Sequence, residues 1–303
     1  MTEHYPRIRH PGDNGSLLIR EGLSFTFYMR RSHSEVAHRV LSALETYLRF
    51  IGPGSLGWYA DEEGELHPLD ERGWEWTRRE LLGDRLRSAQ LMDASRAEDR
   101  YRFEYWGKDL ESSLGRNKAN AVCSATFWLP TEVLEEQGPE RVRALAMELA
   151  APLPLCSGHG GLSFNAEYDV PGVRRVLSQY WFRHPGIDVY DSPCDYSWEV
   201  GTRVRAPHWL TFLGPPVLEE LGGWEGLRSR LHTPSTTVQA IEEDKVLITL
   251  GPWPEAGDTE RGDTLPAYRE LAKVLEPWRF EEPNRLVLQS MEETRRWERR
   301  FLD

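Results

Sequence analysis

Between residues 17 and 30, apolar and polar side chains alternate: Leu23, Phe25 and Phe27 are set against Ser24, Thr26 and Tyr28. That two-residue period predicts a strand. The period then lengthens. Val36, Val40, Leu41, Leu44, Leu48 and Ile51 recur at helical spacing, Ser32 or Ser34 is placed to cap the helix, and Gly52-Pro53-Gly54 ends it. Residues 56–60 and 66–69 read as a hairpin around the acidic turn Asp61-Glu62-Glu63-Gly64-Glu65, followed by a tryptophan-bearing helix over about 73–82. Residues 100–106 and 121–129 predict two strands joined by a long polar connection. Residues 139–150 predict a helix with Val142, Leu145, Ala146 and Leu149 on one face, and 162–168 a further strand. Residues 173–182 read as helical, and 186–206, short in period and rich in turns, as a connection between two halves.

The stretch from Trp209 is the most informative. Trp209-Leu210-Thr211-Phe212-Leu213 is β-prone, and Gly214 frees the chain to turn. Pro215 and Pro216 suit the first turn of a helix, where the missing N–H is not needed. Val217, Leu218 and Leu221 then form one apolar helix face, which Gly222-Gly223 stops. Residues 224–231 add helix, and 236–241 with 245–250 form a hairpin around Glu242-Glu243-Asp244. A helix over 265–275 and a charged one over 291–302, either a solvated helix or one that docks on Trp297 and Phe301, complete the chain. Neighbouring strands interrupted by helices predict an α+β fold with mainly antiparallel sheets, two similar α/β halves being an open alternative. Residues 1–15 are expected to be a flexible leader, and 16–303 one α+β domain with a subdivision, if any, near 186–206.

The strand ending Trp-Leu-Thr-Phe-Leu-Gly, with its short helix closing on Leu-Gly-Gly, resembles a known family. So does the small-residue run Ser157-Gly158-His159-Gly160-Gly161-Leu162-Ser163-Phe164. Together they resemble the type VI immunity family over roughly residues 22–277. The resemblance implies an immunity protein from a bacterial toxin–immunity locus, linked to type VI secretion. Its partner would be a cognate toxin, several such toxins being nucleases with a restriction-endonuclease-like core. The motifs are structural, so no catalytic residue is carried over.

Charge narrows the partner. The 303 residues hold 37 basic against 49 acidic side chains, a formal balance of −12. Phosphate backbones call for basic patches, so direct nucleic-acid binding is disfavoured and capture of a basic protein is favoured. Twelve tryptophans promise large buried or interfacial surfaces. Cys123, Cys156 and Cys194 are odd in number and far apart, which is neither a disulfide framework nor a zinc spacing. Free thiols, no apolar leader and no run of 18 apolar residues point to the cytoplasm and away from a membrane.

Motifs for catalysis are incomplete. His159-Gly160-Gly161 has the look of an oxyanion-hole loop, yet the nearest nucleophile elbow, around Ser163, has Asn165 where a glycine belongs. A flexible turn entering a strand is the better account. Glu243-Asp244-Lys245 has the Glu-x-Lys spacing of metal-dependent nucleases but no upstream aspartate between 209 and 238, so an exposed hairpin tip is preferred. No metal cluster, nucleotide loop or cofactor motif is recognised. Acidic runs are usually solvated faces. Their functional reading makes Trp58, Asp61, Glu62, Glu63, Glu65, Glu242, Glu243 and Asp244 the candidate partner-binding residues, carboxylates standing where a nuclease would bind phosphates. An enzyme without local motifs and a scaffold module of a secretion or phage-like assembly are the alternatives.

Overall fold

The computed structural model describes residues 4–83, 88–95, 97–166, 168, 170–190, 192–242, 244–281 and 290–303. Its first elements are β1 (Arg9–Pro11), β2 (Leu17–Met29), α1 (His33–Ile51), β3 (Leu56–Ala60), β4 (Leu66–Pro68) and α2 (Glu71–Leu81). There follow β5 (Ser88–Asp93), β6 (Arg102–Trp106), α3 (Ser113–Asn117), β7 (Cys123–Pro130), α4 (Glu132–Ala150) and β8 (Ser157–Ala166). The middle holds α5 (Val173–Leu177), β9 (Asp188–Val189), α6 (Pro193–Tyr196) and β10 (Leu210–Leu213). The chain closes with α7 (Val217–Glu220), α8 (Gly223–Arg228), β11 (Thr236–Ile241), β12 (Lys245–Leu250), α9 (Pro266–Leu275) and α10 (Met291–Glu298).

The strands form one twelve-stranded sheet in the order β11-β12-β10-β8-β2-β7-β6-β5-β3-β4, with β1 beside β2 and β9 beside β8. Every pair is antiparallel except β8 with β9. The α+β expectation holds. Leu210, Phe212 and Leu218 are buried as the spacing required, and Glu35 accepts the Ser32 N–H at 2.8 Å to start α1. In the stretch expected to be a leader, β1 pairs with β2, Tyr5 and Ile8 are buried, and Glu21 accepts the Ile8 N–H at 2.9 Å.

Register separates the sheet into two unlike faces. Phe25, Phe27, Phe103 and Phe127 share one, with Val36, Val40, Leu44 and Tyr47 of α1 and Val142, Leu145 and Leu149 of α4 in the same buried cluster. On the other, Ser24, Thr26 and Tyr28 pair with Gly161, His159 and Ser157 on one side and with Trp128, Thr126 and Ser124 on the other. This second face is polar and buried as well. Residues 188–190 and 192–206, expected as part of a connection, lie over it. Ser192 Oγ donates to Glu104 at 3.0 Å, Val122 N–H to Ser197 O at 2.9 Å, and Ser157 Oγ to Arg203 O at 2.9 Å.

Several expectations need correction. Ser157–Ala166 is strand from its first residue, not a flexible turn entering one. A Cβ on Gly160 would lie 2.3 Å from Phe25 Cδ1, and one on Gly158 would lie 2.9 Å from Phe27 Cδ1. Those glycines let the phenylalanine rings of β2 lie across β8. The helix read over 173–182 is confined to Val173–Leu177. The helix read over 139–150 is present, and a further helical stretch from Glu132, not foreseen, precedes it across a kink at Gly138, whose φ is 78°. Ser88–Asp93 was not foreseen as a strand, since it has no β-branched or aromatic residue.

Candidate functional site

The β3–β4 turn is organised by one of its own carboxylates. Asp61 Oδ1 accepts the N–H groups of Glu63 and Glu65, both at 2.9 Å, while Oδ2 lies 2.7 Å from His67 Nε2. The His67 hydrogen bond holds Asp61 below the usual carboxylate range. Gly64 adopts φ 83°, the left-handed conformation that closes the loop. Asp61 therefore builds the turn, and Glu62, Glu63 and Glu65 project from it, exposed. Trp58 is half-buried on β3, opposite Pro68 and Met92. Next to it Tyr59 packs on Trp76 of α2 with centroids 4.8 Å apart. The turn thus rises from a partly exposed aromatic base.

The second acidic turn is built differently. Glu242 (φ 58°) and Asp244 are exposed, and Glu243 lies outside the described residues. Lys245 is not part of an exposed tip. Its side chain is buried, with Nζ donating to Ala151 O at 2.8 Å and Leu153 O at 3.1 Å and lying 3.2 Å from Glu242. Because the strands alternate in direction across the sheet, β3 and β11 run the same way and both acidic turns lie at one end of it. Eight strand spacings separate them, roughly 38 Å along the sheet. The described candidate residues therefore form two regions.

Between the turns, at that same end, lies a cleft of about 460 Å³ lined by Arg30, Arg31, Arg116 and Lys118 together with Glu35 and Glu111. The rim alternates acidic, basic, acidic, which net charge alone does not reveal. Trp224, on α8, was also missed; it is 52% exposed, beside exposed Glu219 and Glu225. Its signal was available, since it falls outside the Leu218, Leu221 and Leu227 positions that face inward.

The residues weighed for catalysis are engaged structurally. Ser163 is fully buried and its Oγ donates to Asn165 Oδ1 at 2.6 Å. His159 sits in mid-sheet, its ring stacked on His208. Cys123 and Cys156 are buried thiols, pushed up by burial. Among the described residues no helix is long and apolar enough to cross a membrane.

The family model for type VI immunity for VRR-NUC matches residues 39–301. The chain belongs to that family. As a type VI immunity protein it shares its fold with a Pseudomonas aeruginosa T6SS protein, PA0821, at a TM-score of 0.76 and 22% identity, covering 94% of this chain and 85% of the other. Among curated proteins none matches. The match takes in the second acidic turn, Trp58 and the first acidic turn, so the candidate residues all lie within the matched range.

Proposed function

We propose that this immunity protein binds a VRR-NUC toxin of nuclease type and neutralises it stoichiometrically, in the cytoplasm, without chemistry of its own. The observation that carries this reading beyond family membership is the pre-organised acidic turn, whose three exposed glutamates close the hairpin that carries half-buried Trp58. A turn held rigid by Asp61 loses little entropy on docking. A nuclease cleft that binds phosphate presents cations, and carboxylates at these positions meet them. Trp58 supplies the apolar part of the contact, and Trp224 is a second anchor on the far side of the sheet. The engagement of Ser163 and Lys245 in structural hydrogen bonds supports a non-catalytic role.

Co-expression with the adjacent toxin should restore growth, and the purified pair should associate more slowly as salt rises. Reversing Glu62, Glu63 and Glu65 to lysine should lower the association rate about tenfold at low salt, with little change in dissociation. Reversing Arg30, Arg31 and Arg116 to glutamate should raise it, because those cations oppose a basic partner. An association rate indifferent to the first change would remove the turn from the interface. Failure to protect against the toxin would end the reading.

A further inference from the structure

On the polar face, three side chains from distant parts of the chain converge beneath the 188–206 segment. His159 comes from β8, Asp188 from β9 and His208 from the turn into β10. They are 5%, 6% and 4% exposed, and one donor atom of each lies within 4.8 Å of the other two. We propose that His159, Asp188 and His208 form a buried site for a divalent transition-metal ion, zinc being the ion this donor set suits.

His208 is the key ligand. Its Nδ1 lies 2.6 Å from Ala206 O, a carbonyl that only accepts, so Nδ1 carries the hydrogen and Nε2 presents its lone pair. That Nε2 makes no hydrogen bond, although it is buried and 3.1 Å from Asp188 Oδ2. The contact has the distance of a hydrogen bond and not its geometry. A cation seated between the two atoms would bring the imidazole lone pair and the carboxylate oxygen into one coordination shell. Ligand atoms around a tetrahedral zinc stand about 3.3 Å apart, close to the separation found. The surroundings match an outer shell: a backbone carbonyl fixes the His208 tautomer, and Arg300 stands 3.5 Å from the other carboxylate oxygen, Oδ1, leaving Oδ2 turned to the rings. The His159 ring stacks on His208 with centroids 4.2 Å apart, its donor atom within 4.8 Å of the other two, and would turn toward the ion to complete the set, with water in the fourth position. The ion would clip β8, β9 and the turn before β10 together. This goes beyond toxin binding and does not depend on it.

The test uses the full chain, stripped with EDTA and titrated with CoCl2 and then ZnCl2. One equivalent of cobalt should bind with visible d–d absorption, zinc should displace it, and Tm should rise by several degrees. His208→Gln and Asp188→Asn, checked for folding by circular dichroism, should weaken uptake by roughly 100-fold or more. His67→Ala, which dismantles the exposed Asp61, Glu65 and His67 group, should leave uptake unchanged. Wild-type protein that takes up no cobalt and shows no Tm response to zinc would overturn the site, leaving an ion pair only. Uptake lost with His67→Ala and kept with His208→Gln would overturn it equally.

Discussion

On one face of the central strands Phe25, Phe27, Phe103 and Phe127 interlock with the α1 and α4 side chains. Across the same strands, and just as deep, lie Ser24, Thr26, Ser124, Thr126 and Glu104. The first face is held by burial, which is non-directional and tolerates exchange among residues of similar volume. The second is held by hydrogen bonds whose partners come from an irregular segment, and each bond matters because an unmatched buried group is costly. The comparison teaches that equal burial can hide unequal tolerance. It also suggests where each face breaks.

The largest effect should come from the apolar face. Phe127→Ala, which empties a site packed against Phe27, Tyr47 and Phe103, should cost about 3–5 kcal/mol in urea unfolding. Gly160→Ala acts in the opposite sense, overfilling the face where Phe25 already stands, and should cost about 1–3 kcal/mol.

The polar layer is sharpened by pH. Lys108 Nζ is buried, donating to Val122 O at 3.0 Å and Ser197 Oγ at 2.6 Å, and burial lowers its pKa to about 8. As pH rises, the native state releases this proton first, while the unfolded chain keeps it to roughly pH 10.4. In that window the unfolded state binds more protons, so Lys108 adds stability as pH rises above about 8. Relative to Lys108→Met, wild-type protein should gain up to about 3 kcal/mol between roughly pH 7 and 10.4, with most of the trend visible by pH 9.5. Parallel slopes for the two proteins would refute it.

A smaller effect tests directionality. The Thr26 and Thr126 hydroxyls bond each other at 3.0 Å. Thr26→Val should cost about 1–2 kcal/mol by orphaning its partner, and adding Thr126→Val should recover most of it. Smallest of all, lysine at Glu62, Glu63 and Glu65 should change stability by less than about 0.5 kcal/mol while slowing toxin association.

The apolar face was legible in the chain because its periods are local. The spacing in α1 and the 236–241 and 245–250 hairpin map directly onto observed elements. The polar face was not. Alternation such as Ser24, Thr26 and Tyr28 reads as a wet surface, and nothing local announces that residues 188–206 will cover it. Gly158 and Gly160 read as turn residues because their reason, the rings of Phe25 and Phe27, lies more than a hundred residues away. The two acidic turns were found from charge alone. Their separation, and the basic cleft between them, depend on strand order and have no sequence signal.

Strand order also governs how the chain comes into being. Gly22–Met29 of β2 pairs with β7, about a hundred residues later, and all of it but Met29 with β8, later still by roughly 30. At about 5–20 residues per second, synthesis leaves this stretch waiting on the order of 5–20 s for its first neighbour. During that time it is a long strand with Phe25 and Phe27 uncovered, the kind of surface that chaperones shield and that aggregates in their absence. A nascent chain that stops before β8 leaves one side of β2 unpaired, so completion of the sheet centre waits on about the first 166 residues of translation.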